Sequence, residues 1–172
     1  MSHIQEEIHR IQAELPESVR LVAVSKYHPV EALQEAYEAG QRIFGESHVQ
    51  ELRQKQSALP QDIEWHFIGH LQTNKVKFVV GKVSLIHSVD SLRLLTAINK
   101  EAAKQGILQD ILLEVNIGEE ASKSGFQAED ILPLMDKIAE FPNVCIKGLM
   151  AIPPISHNSG ENLKFFQKMF HL

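Results

Sequence analysis

Apolar residues recur along this chain with two alternating periods. Ile4, Ile8, Ile11 and Leu15 fall three or four apart, which predicts an amphipathic helix that Pro16 stops. Residues 21–26 form a short apolar run and predict a strand. Helical spacing returns over 30–39 and ends at Gly40, a usual terminating residue; a short strand is predicted over 43–47. The pattern continues with a helix over 49–59 closed by Pro60, a strand over 65–69, a short helix over 73–80 before Gly81, and a strand over 85–89. Asp90 or Ser91 is placed to cap the next helix, which runs through Leu92, Leu95, Ile98 and Ala102 to Gly106. A strand over 111–116 follows, then a helix marked by Ile131, Leu134, Met135 and Ile138 and ended near Pro142. A strand over 144–150 and a helix over 161–172, with Leu163, Phe166 and Phe170 along one side, complete the series.

One initial helix and six strands, each followed by a helical segment, predict an α/β fold of parallel strands with right-handed crossovers. The strands are almost continuously apolar, as in a sheet covered on both faces. An open doubly wound sheet and a (β/α) barrel both satisfy this order. No Gly-x-Gly-x-x-Gly follows the first strand, which argues against a dinucleotide-binding domain. Unusual residues recur where the strands end: Lys26, Glu46 and Ser47, Gly69 and His70, residues 88–90, Asn116 and Met150. Each alone is more often a cap or a loop residue. Their repetition at one end of successive strands is the stronger sign, because a barrel gathers its chemistry there.

Composition narrows the function classes. With 172 residues, 44% hydrophobic and 23% charged, the chain has material for one domain and one core. A net charge of -5 and no basic run argue against nucleic-acid binding. Cys145 is the single cysteine, so no internal disulfide forms, and a reducing compartment fits. Residues 1–7 are too polar for a signal peptide, and no apolar run approaches the length of a membrane span. The expectation is a soluble, cytoplasmic protein with no membrane partner. Among nine histidines, His66 and His70 are four apart, but they fall on a predicted strand and turn rather than on one helix face. With no cysteine pair and no His-Glu-x-x-His, no metal site is expected.

The candidate chemistry starts at Lys26. A strand that delivers its one amine at its C-terminal end can place it in a low-dielectric pocket, where desolvation lowers the pKa and frees the lone pair. Such an amine condenses with an aldehyde to a Schiff base, the link by which proteins hold pyridoxal phosphate (PLP). Taken alone, a lysine at a strand end is more often simply solvated.

Five ordered motifs change that balance. They are Val24-Ser25-Lys26; Phe44-Gly45-Glu46-Ser47-His48-Val49-Gln50-Glu51; Trp65-His66-Phe67-Ile68-Gly69-His70-Leu71-Gln72 with Asn74-Lys75; residues 116–125, ending Ser122-Lys123-Ser124-Gly125; and Gly148-Leu149-Met150-Ala151-Ile152-Pro153-Pro154. In this combination the chain resembles the pyridoxal phosphate homeostasis protein family over essentially its whole length. The resemblance implies a TIM-type (β/α) barrel like the N-terminal barrel of alanine racemase. It also implies Lys26 as the lysine in Schiff-base linkage to PLP, with Ser47 and Met150 as further cofactor-binding residues and no catalytic residue. Ser47 stands where the family usually has asparagine, and His48 where it usually has tyrosine.

The family pattern continues for two more strands, with a Ser- and Gly-rich turn and a Gly-Thr turn that grip the phosphate and an arginine near the ring. This sequence ends at Leu172. The expectation is therefore one partial PLP-binding domain over 1–172, an incomplete barrel with six of eight strands. Such a fragment or truncated chain would hold PLP weakly by itself and self-associate through open edges. The implied role is intracellular PLP (vitamin B6) homeostasis without catalysis, with PLP-dependent enzymes as acceptors. Three alternatives remain: a PLP-dependent racemase or decarboxylase, which needs an acid/base group opposite the lysine; an aldolase-like barrel using Lys26 without PLP; and a remnant that no longer binds.

Overall fold

The computed structural model describes residues 2–155 and 159–172. Helix α1, His3–Glu14, opens on a capping box in which the Ser2 side chain accepts from the Gln5 N–H and the Gln5 side chain accepts from the Ser2 N–H. Strand β1, Ala23–Val24, is followed by α2, Val30–Glu38, and Gly40 leaves that helix with φ of 93°. Strand β2, Ile43–Glu46, leads into α3, Val49–Ala58. Strand β3, Glu64–Phe67, is followed by a 3-10 helix, Thr73–Phe78, in place of an α-helix. Strand β4, Leu85–Val89, leads to α4, Leu92–Gln105, capped by the Ser91 hydroxyl and ended by left-handed Gly106.

Strand β5 spans Gln109–Glu114, two residues earlier than the apolar run predicts at each end. The segment expected as one helix over 131–138 is broken into α5, Ile131–Met135, flanked by short 3-10 turns. Pro133 stands in the first turn of α5, where a missing N–H is tolerated. Strand β6, Val144–Met150, has the predicted bounds. Helix α6 spans Ser159–His171. It packs through Phe165 and Met169, while Leu163, Phe166 and Phe170 are exposed.

The six strands are all parallel and stand in sequence order, β1 to β6. That order has no reversal point, which removes the doubly wound alternative and is the order of a (β/α) barrel. Strand β1 lies at an edge and, among the described residues, pairs with β2 alone, through Ala23 and Val24.

Side-chain alternation divides the sheet into two faces. Phe44, Trp65, Phe67, Ile86, Ile111 and Leu113 join Leu94, Leu95, Ile98 and Ala102 of α4 in one core beneath the helices. The intervening positions, Gly45, His66 and His87 among them, belong to the opposite face. A Cβ on Gly45 would lie 2.9 Å from the tip of the Ile68 side chain and 3.1 Å from that of Val22, so these two side chains pack directly over the Gly45 backbone on that face. Among the described residues no helix is long and apolar enough to cross a membrane.

Candidate functional site

The site begins where β1 runs into the turn Ser25–Lys26–Tyr27. Ser25 still pairs with the sheet, its N–H donating to the Gly45 carbonyl. Its side chain is on the helix side, where the hydroxyl donates to Glu46 Oε1 at 2.6 Å. Alternation puts Lys26 on the opposite face, at the C-terminal end of the sheet. Lys26 is exposed rather than desolvated: β1 is an edge strand, and among the described residues no strand pairs with it on its outer side. Among the described residues the Lys26 amine has no hydrogen bond or ion pair.

A buried polar network fixes the backbone on both sides of Lys26. Glu46 is fully buried at the end of β2. Lys55, buried on α3, directs its ammonium at Glu46 Oε1 (2.6 Å), at the Ser25 carbonyl (2.7 Å) and at Glu51 Oε1 (3.2 Å). All three ammonium donors are thereby used. Glu51 Oε1 also accepts from the Tyr27 N–H at 2.8 Å. Tyr27 has φ of 65°, a left-handed conformation that costs a non-glycine residue on the order of 1 kcal/mol and needs surrounding contacts to hold it. Burial pushes the Glu51 carboxyl up, but the Tyr27 N–H, His48 and Lys55 together hold it below the usual carboxylate range. The second Glu46 oxygen, Oε2, is buried without a partner among the described residues.

The ends of β2, β3 and β4 are drawn together at the same rim. Ser47, half-buried, lies against Gly69: a Cβ there would be 2.5 Å from the Ser47 carbonyl oxygen. The Ser88 hydroxyl donates to the Gly69 carbonyl. His70 Nδ1 is 3.2 Å from Asp90 Oδ2. Glu114 accepts from the Ser124 hydroxyl at 3.2 Å, and burial, reinforced by the Asp90 charge, raises its pKa. Beyond β5, Asn116 holds the following loop by donating to the Glu120 carbonyl and accepting the Glu120 N–H. Lys123 in that loop is paired with Glu120 at 2.7 Å. Met150, half-buried, stands beside Glu114 in the β5–β6 register.

The three residues read as cofactor-binding therefore share one rim. Lys26 and Ser47 end neighbouring strands, whereas Met150 ends the strand at the opposite edge; no hydrogen bond joins the three. Farther into the same face, a polar chain crosses β3 and β4. Arg20 pairs with Glu64, Glu64 Oε1 is 3.0 Å from His66 Nε2, and His66 Nδ1 is 2.9 Å from His87 Nε2. An ionised Glu64 can only accept, so His66 donates to it through Nε2–H. Burial, with the His66 charge adding to it, pulls the His87 pKa down to about 4.

Two of these features had a legible signal. Glu46 shares a strand face with Phe44, which places it under the helices, and Glu51 and Lys55 stand four apart on α3, the spacing of a helical ion pair. The His66–His87 contact joins two strands and had none. Among the described residues no three His, Cys, Asp or Glu side chains are grouped to hold a metal ion.

Comparison with known proteins gives the same architecture. A pyridoxal phosphate homeostasis protein of Aquifex aeolicus is 46% identical over 154 residues, a match covering 89% of this chain and 68% of that protein. The structure of PipY from Synechococcus elongatus solved without PLP superposes with a TM-score of 0.92 at 36% identity, covering 98% of this chain and 80% of PipY. The PLP-bound form of PipY gives 0.89 at 35% identity, with 98% and 79% covered. An alanine racemase of Clostridium difficile 630 shares the fold at a TM-score of 0.79 and 14% identity, covering 98% of this chain and 46% of the racemase. With residues 1–171 matching the family described as alanine racemase, N-terminal domain, and with such relatives, this chain belongs to that family as one of its pyridoxal phosphate homeostasis protein-like members.

Proposed function

We propose that this chain binds pyridoxal 5'-phosphate as a Schiff base on Lys26 and acts in intracellular PLP homeostasis rather than in catalysis. The observation that carries the reading is Lys26 itself: an exposed amine at the C-terminal rim, unpaired among the described residues, on a backbone fixed by Ser25, Lys55 and Glu51. The bound cofactor would supply an aldehyde, and condensation with the amine releases one water. The bond is reversible by the same water, which suits a carrier that yields its load to PLP-dependent enzymes in the cytoplasm. Ser47 and Met150 are proposed to border the cofactor from the ends of β2 and β6. Homologues are named for homeostasis, and the racemase likeness, at 14% identity, concerns the fold alone.

The residues around Lys26 fit this task better than a reaction on an amino acid. Ser25, Glu46, Lys55 and Glu51 are occupied with one another and with the turn. Their role is to hold the amine in place.

Titration of the purified protein with PLP, followed by visible absorbance, tests the reading. The wild type should develop a saturable imine band that borohydride abolishes, and Lys26→Ala should lack it. An equal saturable band in Lys26→Ala would remove Lys26 from the role.

A further inference from the structure

We infer that Glu51 is a positioning residue for Lys26, holding Tyr27 in its left-handed conformation and thereby directing the preceding amine toward the rim. The inference rests on the reading of Lys26 as the PLP-binding lysine. Glu51 never touches the amine. It reaches Tyr27 twice: Oε1 accepts the Tyr27 N–H at 2.8 Å, and Oε2 is 3.0 Å from His48 Nδ1, whose ring lies against the Tyr27 ring at a centroid distance of 5.2 Å.

The need for such a hold follows from the turn. Tyr27 is one of two non-glycine residues with positive φ among the described residues. It is 77% exposed, so packing against the core does not impose its conformation. The turn is closed by the His28 N–H, which donates to the Ser25 carbonyl at 3.1 Å, and beyond that bond the restraint on Tyr27 is its pair of contacts to Glu51. Glu51 is itself fixed, since Lys55 binds Oε1 at 3.2 Å and bridges it to buried Glu46. The chain of control runs from Glu46 through Lys55 and Glu51 to Tyr27, and ends one residue after the amine. If the Tyr27 backbone relaxes to negative φ, the peptide between Lys26 and Tyr27 reorients and the Lys26 side chain leaves its direction. Orientation of this kind is worth a large factor in rate: displacement by about 1 Å can cost ~100-fold.

Glu51→Ala removes both contacts, while Glu51→Gln keeps an acceptor oxygen for the Tyr27 N–H without the charge. Three readouts are compared with wild type: hydrogen exchange of the Tyr27 amide relative to amides of β5, the rate of PLP trapping at Lys26 by borohydride with peptide mapping, and thermal stability. Glu51→Ala should lose Tyr27 protection and trap at Lys26 about tenfold more slowly. Glu51→Gln should restore both. Retained Tyr27 protection in Glu51→Ala, or lost protection with unchanged trapping at Lys26, overturns the inference. Equal losses in Glu51→Ala and Glu51→Gln also overturn it, because charge rather than the held N–H would then be responsible. A wild type that traps nothing at Lys26 overturns the functional reading and, with it, this one. Strong trapping in wild type that persists in Glu51→Ala overturns only the positioning role.

Discussion

Gly69 shows at the scale of one residue how the rim is assembled. It lets the turn after β2 press against the end of β3, and its carbonyl takes the Ser88 hydroxyl from β4. A methyl group there would meet the Ser47 backbone, at 2.5 Å from the carbonyl oxygen and 2.6 Å from Cα. Backbone cannot swing aside as a long side chain can. Gly69→Ala should cost roughly 1–3 kcal/mol as overpacking, read as a lowered denaturant midpoint. It should also displace Ser47. An unchanged midpoint would mean the two strand ends are not pressed together as described. Lys26 illustrates the reverse relation between residue and surroundings. Its position at the strand end was readable from 21–26, but its exposure was not, because exposure depends on which strand flanks β1 rather than on β1's own residues.

At the scale of elements, α3 and the ends of β1 and β2 form one polar joint. Lys55 and Glu46 are both buried, with side-chain exposures of 5% and 0%. Breaking such a pair by removing one partner leaves a buried charge and costs about 3–5 kcal/mol, while replacing both with apolar groups of similar size costs much less. Lys55→Met should therefore destabilise the protein by about that amount, and Glu46→Leu/Lys55→Met should recover most of it. Denaturant midpoints of the two variants give the comparison, and equal losses would show that the pair is not coupled. Most elements were legible because period and punctuation agree in them: β4 and β6 have the predicted bounds, and Ser91 and Gly106 frame α4. The clearest failure has a local cause: the run at 111–116 misplaces β5 because its first residues, Gln109 and Asp110, are polar. Gln109 is nevertheless buried, its side chain bonded to the Gly81 N–H and the Val83 carbonyl.

The whole molecule presents a helix-covered core on one face of the sheet and polar chemistry on the other. The chain Arg20, Glu64, His66 and His87 runs along that second face and ties stability to pH. His87 is neutral when folded down to about pH 4, whereas in the unfolded chain it takes a proton near pH 6.5. Between those values the unfolded state binds more protons, so stability is full above pH 6.5 and falls as pH drops toward 4. Arg20 holds the Glu64 carboxyl below its ordinary value of 4.5, so the loss of that contribution comes at lower pH. Denaturant midpoints between pH 7 and 4.5 should decline in wild type and decline less in His87→Asn; parallel profiles would contradict the assignment. The parallel order of the strands was legible from their alternation with helices, and the rim from the residues ending each strand. The contacts across the rim were not, since Gly69 with Ser47, or His66 with His87, meet only once the strands stand in register.

The central claim is that one amine of this chain, Lys26, takes pyridoxal phosphate. The most direct measurement is mass-spectrometric peptide mapping after borohydride reduction of the protein with limiting PLP. The chain has twelve lysines, so the site of attachment discriminates sharply. The account predicts the reduced phosphopyridoxyl group on the peptide containing Lys26 and little elsewhere. A label spread over several exposed lysines, or concentrated on another such as Lys123, would contradict it.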